Sequence, residues 1–224
     1  MKTPIFDFIK KYEASGSARF HMPGHKGQSF LGCEKLDITE IPGADVLYMS
    51  DGIIEESEQN ATSLFKTSKT CYSTEGSSHL IRAMIGALAA VTAPRKPLIL
   101  SARNAHKSFI YACACADAHV KWLYPSEFKH LCCCKITSND IADALADSGT
   151  KPDAIYITSP DYLGNITDIR SISALCEKNN ILLLVDNAHG AYLNFLEKPC
   201  HPIHLGADVC ADSAHKSLPV LTGG

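Results

Sequence analysis

The stretch LLLVDNAHG, residues 182–190, places a run of apolar residues directly before the carboxylate of Asp186 and a short polar turn. An apolar run without polar alternation is typical of a strand that is buried on both faces, as in a parallel sheet covered by helices. Ligands bind such sheets beyond the carboxyl ends of the strands. The stretch therefore predicts an α/β fold with Asp186 at the ligand-binding edge of the sheet.

The same alternation of apolar strand, polar turn and helix continues on both sides of this stretch. Strands are predicted at residues 71–74, 98–100, 120–124, 154–158, 181–185 and 208–211, and helices at 79–91, 105–116, 138–145 and 168–178. Strands that alternate with helices indicate a mainly parallel sheet with helices on both faces. Ser138 is the predicted N-cap of the third of these helices.

The residues before about position 70 show a different pattern. Apolar residues at helical spacing predict helices at 4–12 and 55–65. Between them the loop FHMPGHKG, residues 20–27, contains a proline and two glycines, which exclude a regular helix or a central strand. We therefore expect an N-terminal segment, residues 1–70, followed by a domain of residues 71–224.

The composition is that of an ordinary soluble domain, with 46% hydrophobic and 20% charged residues among 224. A chain of this length can bury one sizeable core. The net charge of −3 gives no electrostatic case for nucleic acid or an anionic membrane as a partner. No apolar run reaches the roughly 18 residues of a membrane span, and residues 1–7 contain no signal-peptide core. We therefore expect a cytoplasmic protein.

Ten cysteines are present, but their spacing does not define a metal site. Cys113 and Cys115 are separated by one residue, Cys132, Cys133 and Cys134 are consecutive, and no C-x-x-C pair occurs. Adjacent cysteines do not easily close one tetrahedral site. We therefore expect no metal, and reduced thiols that behave as small hydrophobic residues. Redox sensitivity and metal binding are the weaker alternatives.

Lys216 lies thirty positions after Asp186, in the loop DSAHKS of residues 212–217. A lysine amine can form a Schiff base with an aldehyde, and an aspartate can keep a pyridine nitrogen protonated. Alone, the loop would be interpreted as a solvated turn and Asp186 as a helix cap or a structural ion pair. Together and in this order, the two residues favour a site for pyridoxal phosphate.

Residues suited to the phosphate of this cofactor stand at two places. Gly76, Ser77 and Ser78 open a predicted helix, where free N–H groups, the helix dipole and two hydroxyls attract a phosphate. A serine N-cap beside a tight glycine turn is the alternative for that segment. Ser213 precedes Lys216 by three residues and is also able to reach a phosphate, and His215 could contact the phosphate or help proton transfer.

Other residues at the same predicted edge are candidates for contact with the cofactor ring. His106 opens a helix and either stacks on the ring or has a structural role. Ala188 is small enough to pack against a flat ring. His189 either reaches the cofactor or substrate or supports its loop. Lys107 is a second candidate amine, although a lysine on a helix surface is the simpler interpretation.

Five motifs, in this order, resemble those of the ornithine/lysine/arginine decarboxylases. They are the segments at residues 20–27, 76–79, 103–108, 185–190 and 213–216. The resemblance extends from about Pro4 to Gly224. It implies a pyridoxal phosphate enzyme of the aspartate aminotransferase fold, also called fold type I, of which this chain would hold an incomplete large domain.

The resemblance also implies a role for each candidate. Lys216 would carry the cofactor, Asp186 would pair with the ring nitrogen, and His106 and Ala188 would lie on opposite faces of the ring. The phosphate would be bound by three serines with a histidine beside them: Ser77, Ser78, Ser213 and His215. His189 would lie near the substrate. Lys216, His106 and His189 are thus the expected catalytic residues.

The implied reaction is α-decarboxylation of ornithine, lysine or arginine, which gives a diamine or agmatine and CO2 for polyamine biosynthesis. Members of the family continue well past the lysine, and act as homodimers or larger homo-oligomers, whereas this sequence stops at Gly224. Two alternatives stay open: a truncated chain without catalytic activity, or another fold type I reaction such as transamination. The sequence does not select one of the three amino acids.

Overall fold

The computed structural model describes residues 2–126, 134–147 and 149–220. The chain divides into two compact units, Met1–Tyr72 and Ser73–Gly224. No helix in the described ranges has both the length and the apolar character needed to cross a membrane.

The first unit contains two packed helices and a long loop region between them. The helices are α1 (Pro4–Ala14) and α2 (Ile53–Phe65), so both expected helices are present, each two residues longer than predicted. Short 3-10 turns are formed by Glu34–Leu36 and Leu47–Met49.

Polar side chains hold the loop region of the first unit in place. The carboxylate of Glu34 accepts backbone N–H groups from Phe30, Leu31 and Gly32, and these bonds, that of Leu31 foremost, lower the pKa of Glu34 to about 2. His21 bonds through Nε2 to the Tyr12 hydroxyl at 2.7 Å. The histidine-rich loop of residues 20–27 is therefore anchored within its own unit.

The second unit is built on a five-stranded parallel sheet with the strand order β2-β1-β3-β4-β5. The elements in chain order are α3 (Gly76–Thr92), β1 (Leu98–Ala102), α4 (Lys107–Cys115), β2 (His119–Leu123), α5 (Ser138–Ala146), β3 (Ala154–Thr158), α6 (Ile169–Asn179), β4 (Leu182–Asn187), β5 (Val209–Asp212) and α7 (Ala214–Ser217). The predicted α/β class with a mainly parallel sheet is confirmed.

Apolar residues fill the space on both faces of this sheet. Alternate strand residues such as Ile99 and Leu184 pack with α3 and α4 on one face. Their neighbours Leu100 and Leu183 pack with α5 and α6 on the other face. Because successive side chains of a strand point to opposite faces, a strand buried on both sides must be apolar throughout. This explains the unbroken apolar runs in the sequence.

Two predictions for residues 71–79 are wrong. Residues 71–74 form no strand, because the backbone N–H of Tyr72 donates to the Glu58 carboxylate at 2.8 Å instead of to a neighbouring strand. Helix α3 begins directly after this segment, at Gly76 rather than residue 79, and Gly76 has a φ of +66° that favours glycine. The polar groups of residues 77 and 78 thus lie in a helical turn and do not follow a strand.

The N-cap of α5 is Thr137 and not Ser138. Thr137 Oγ1 accepts the backbone N–H of Asp140, and the Asp140 carboxylate accepts the backbone N–H of Thr137 at 2.7 Å. This reciprocal capping box needs an acidic or amide side chain three residues after the cap. A cap at Ser138 would put the apolar Ile141 at that place.

Within the described ranges, Cys113 and Cys176 are free thiols. Cys113, Cys134 and Cys176 are buried among apolar residues, as expected for thiols that act as small hydrophobic side chains. Burial raises the pKa of the Cys113 thiol to about 12, so it stays protonated. Cys132 and Cys133 lie outside the described residues.

Replacement of Thr137 by alanine tests the capping box. Because alanine has no hydroxyl to accept the backbone N–H of Asp140, Thr137→Ala should lower the free energy of unfolding by about 1 kcal/mol. The matched control Ser138→Ala should change it by less than about 0.5 kcal/mol. Urea unfolding followed by circular dichroism measures both, and an equal loss for the two variants would contradict the assignment of the cap.

Candidate active site

The candidate residues of the second unit gather at the carboxyl edge of the parallel sheet. Thr158 at the end of β3 lies opposite Asp186 in β4, and Asn187 in β4 lies opposite Asp212 in β5. Lys216 follows four residues after Asp212, in α7. The parallel register therefore brings the carboxylate and the amine, thirty positions apart in sequence, to adjacent strand ends.

Asp186 is a buried carboxylate, only 2% exposed, with donors on both oxygens. Its Oδ1 accepts the backbone N–H of Ala188 at 3.1 Å, and its Oδ2 accepts the hydroxyl of Tyr156 at 3.3 Å. Burial raises the pKa of Asp186, whereas these two hydrogen bonds and the charges of Lys216 and His106 lower it. A buried carboxylate of this kind gains most from a positively charged hydrogen-bond donor, and a protonated pyridine nitrogen is such a donor.

Lys216 lies beside His189, with 3.4 Å between the amine Nζ and the imidazole Nε2. Burial and, next, the charge of Lys216 lower the pKa of His189. The imidazole is therefore held neutral, and its ring nitrogen can accept a hydrogen bond from the amine. The ring of His189 also meets Tyr162 edge-on, with 5.9 Å between the ring centroids.

His106 is the N-cap of α4, which is why this helix begins two residues later than predicted. Its Nδ1 accepts the backbone N–H of Ser108 at 3.2 Å and lies 2.9 Å from the Ser108 hydroxyl. That hydroxyl donates to Ser78 at 2.8 Å. The side chain of His106 is thus fixed by Ser108, and it is linked through Ser108 to the first turn of α3.

The start of α3 has the properties of an anion site. Its N-cap, Glu75, makes no side-chain capping bond, so the first N–H groups of this helix keep their capacity to bind an anion. Ser77 is buried, and a Cβ added at Gly76 would meet open space. Ser213, the N-cap of α7, is 1% exposed, while His215 is exposed. Contact of Ser213 and His215 with a phosphate at the start of α3 stays a prediction.

A second buried polar network, which sequence reasoning missed, joins the ends of β4 and β5. The Asn187 amide donates to Asp212 Oδ1, and His201 Nε2 lies 2.9 Å from Asp212 Oδ2. His201 is 1% exposed and Asn187 is fully buried. A Cβ at Gly190 would lie 2.0 Å from Asn187 Oδ1, so only glycine fits there. Asp212 is near Lys216 in sequence, but nothing in the sequence marks His201 as its partner.

Three potential metal ligands occur in this network. Ligand atoms of His201, Cys210 and Asp212 lie within 4.8 Å of one another. Burial raises the pKa of Cys210 well above its ordinary value, which opposes the thiolate form that a metal requires. The hydrogen bond between His201 and Asp212 accounts for their proximity, so we interpret the group as a structural network.

Unpartnered polar atoms at the same edge fit a bound polar ligand. Within the described residues, four buried side-chain oxygens at this edge have no hydrogen-bond partner: Asn104 Oδ1, Thr158 Oγ1, Asn187 Oδ1 and Ser217 Oγ. Such atoms are rare in native proteins, and each needs an explanation. Together with buried Asp186, the amine of Lys216 and the open start of α3, they fit a phosphorylated pyridine aldehyde.

The fold and this donor set are those expected of a pyridoxal phosphate-binding domain of fold type I. The sequence matches the protein family "Orn/Lys/Arg decarboxylase, major domain" over residues 3–224. The chain therefore belongs to the ornithine/lysine/arginine decarboxylase family, whose members are pyridoxal phosphate-dependent amino-acid decarboxylases.

Relatives in sequence and structure agree with this assignment. An arginine decarboxylase of Bacillus subtilis is 31% identical, over 99% of this chain and 46% of the relative. The uncharacterized protein YaaO of the same species is 30% identical, over 100% of this chain and 48% of the relative. The constitutive lysine decarboxylase of E. coli superposes with a TM-score of 0.76 at 22% identity, over 99% of this chain and 35% of that one. The chain thus spans about half the length of the sequence relatives it matches.

The network around Asp212 can be tested by removing its histidine. His201→Ala leaves the partly buried carboxylate of Asp212 without one of its donors, so the free energy of unfolding should fall by about 2 kcal/mol. The control His119→Ala alters an exposed residue of β2 and should cost less than about 0.5 kcal/mol. If thermal unfolding finds the two variants equally stable, the network does not hold β4 and β5 together.

Proposed function

We propose that the chain carries the cofactor site of a pyridoxal phosphate-dependent decarboxylase acting on a basic amino acid. The observation that supports this most strongly is the pairing of a buried carboxylate, Asp186, with the amine of Lys216 at adjacent ends of β4 and β5. Arginine is the first substrate to test, because sequence relatives of this chain at 29–31% identity are arginine decarboxylases. Agmatine and CO2 would then be the products.

Each residue of the site has a defined task in this proposal. Lys216 supplies the amine for the covalent bond to the cofactor aldehyde, and Asp186 holds the ring nitrogen in its protonated form. Ser77 and Ser78 bind the phosphate at the start of α3, with Ser213 and His215 as additional contacts. Bound pyridoxal phosphate supplies the sink for the electrons that remain when the carboxylate leaves as CO2.

The histidines contribute to orientation and proton transfer. His106, fixed by its bonds to Ser108, offers a ring face to the cofactor, opposite the small side chain of Ala188. His189, neutral and 3.4 Å from Lys216, can take a proton from the amine and return it. The proton added at the α-carbon would come from this pair, whose two nitrogens lie together at the proposed cofactor site.

The protein that contains this chain is proposed to work as a homo-oligomer in the cytoplasm, in polyamine biosynthesis. Large apolar side chains of the first unit are strongly exposed, among them Phe20 at 94%, Tyr48 at 91% and Leu31 at 89%. Exposed apolar surface of this kind is typical of an interface. Free cysteines in the described ranges support a reducing compartment.

Absorbance and borohydride reduction test the cofactor site. With added pyridoxal phosphate the purified chain should develop a visible band, and borohydride should fix the cofactor on the peptide that contains Lys216. Lys216→Ala should abolish both results. The matched control Lys107→Ala removes the other candidate amine, which is exposed, and should leave both unchanged. Attachment to Lys107, or a band that survives in Lys216→Ala, would refute the assignment.

Product analysis then separates the possible reactions. Release of CO2 from arginine, with lysine and ornithine as competitors, is the result expected for a decarboxylase. Formation of a keto acid without CO2 would instead indicate transamination. Cofactor attachment to Lys216 with neither product would mean that this chain holds the cofactor but does not complete a decarboxylase site.

Light scattering tests the proposed self-association. The purified chain should show a mass above that of one chain, 24.2 kDa, and the double change Leu31→Glu and Tyr48→Glu should reduce it, because charged side chains oppose burial of this surface. A mass of 24.2 kDa for the unmodified chain would contradict self-association of the chain.

A further inference from the structure

Tyr156 is a fully buried tyrosine whose hydroxyl reaches the Asp186 carboxylate. It lies in β3, where it pairs with Leu184 of β4. Leu184 and Asp186 are two residues apart in that strand, so their side chains point to the same face. The Tyr156 hydroxyl therefore reaches along the face to Asp186 Oδ2, at 3.3 Å.

Packing fixes the tyrosine ring in this position. The ring stacks on Phe109 of α4 with 4.1 Å between centroids and 25° between planes, and Phe109 in turn meets Trp122 edge-on. Apolar residues such as Ile99 and Leu184 complete the surrounding cluster. A phenylalanine would fill the same space, and a buried hydroxyl costs free energy unless it is bonded. The hydroxyl is thus explained by its bond to Asp186 and not by packing.

The hydroxyl can act only as a donor towards Asp186. Burial, and next the charge of Asp186, raise the pKa of Tyr156 well above its ordinary value, so it keeps its proton. The bond from Tyr156 to Oδ2 and the bond from the Ala188 N–H to Oδ1 hold the carboxylate from two directions. Its orientation is therefore set before any ligand binds.

We propose that Tyr156 is a positioning residue, which orients Asp186 for the pyridine nitrogen of the cofactor and favours the charged carboxylate through its hydrogen bond. This inference rests on the proposed cofactor site and deepens it. Four other titratable groups act on Asp186 or are acted on by it, one from each surrounding element: His106 before α4, His189 after β4, Cys210 in β5 and Lys216 in α7. These four groups interact with Asp186 through charge, whereas Tyr156 donates a hydrogen bond to the carboxylate.

Tyr156→Phe tests the proposal in the chain without cofactor. Carbon-13 NMR of carboxyl-labelled aspartate follows the titration of Asp186, whose signal is identified by its absence in Asp186→Asn. Loss of the tyrosine hydroxyl removes a bond that favours the charged form, so Asp186 should titrate at a higher pH than in the unmodified chain. The apparent affinity of the Tyr156→Phe variant for pyridoxal phosphate should fall roughly tenfold, because one hydrogen bond to a charged group is lost.

Phe109→Leu is the matched control. It disturbs the same aromatic stack but retains the tyrosine hydroxyl, so it should lower stability and leave the titration of Asp186 unchanged. An unchanged titration and unchanged cofactor affinity in folded Tyr156→Phe would overturn the proposal. If the unmodified chain binds no pyridoxal phosphate, the proposed function fails, but the titration of Asp186 still decides whether Tyr156 sets the state of the carboxylate.

Discussion

The parallel register of β4 with its neighbours β3 and β5 is the constraint on which the site depends. It sets Thr158 opposite Asp186 and Asn187 opposite Asp212, so that residues distant in sequence end at one edge. A shift of one residue in β4 would turn Asp186 to the opposite face of the sheet, away from the Tyr156 hydroxyl. Apolar packing on both faces of the sheet stabilises this register. At the carboxyl end, the hydrogen bonds of Asp212 to Asn187 and His201 stabilise the pairing of β4 with β5.

Burial is the largest cause of the pKa shifts of Asp186 and His189 at this edge of the sheet. Asp186 lies in an apolar environment that raises its pKa, and its two hydrogen-bond donors and the nearby charges of Lys216 and His106 act in the opposite direction. The same environment lowers the pKa of His189, so that a neutral imidazole stands beside the amine. A buried carboxylate that favours a cation and a lysine amine at the adjacent strand end are the two features that pyridoxal phosphate chemistry needs from a protein.

Features that depend on neighbouring residues could be predicted from the sequence, and long-range contacts could not. Strand β3 was predicted with its observed bounds, 154–158, because an apolar run between polar turns is a local signal. The segment at 71–74 was mistaken for a strand because its backbone bond to Glu58 is not visible in composition. In the sequence Tyr156 is one residue of an apolar strand, and no motif contains His201. Their partners, 30 and 11 positions away, are set by strand register alone.

The central claim is that Asp186 holds the cofactor ring in its protonated form within a site that Lys216 completes. Nitrogen-15 NMR of pyridoxal phosphate labelled at the ring nitrogen and bound to the chain tests it most directly. A protonated nitrogen at neutral pH, which becomes unprotonated in Asp186→Asn, is the result that this account predicts. A ring nitrogen that is unprotonated in the unmodified chain, or that is unaffected by Asp186→Asn, would contradict it.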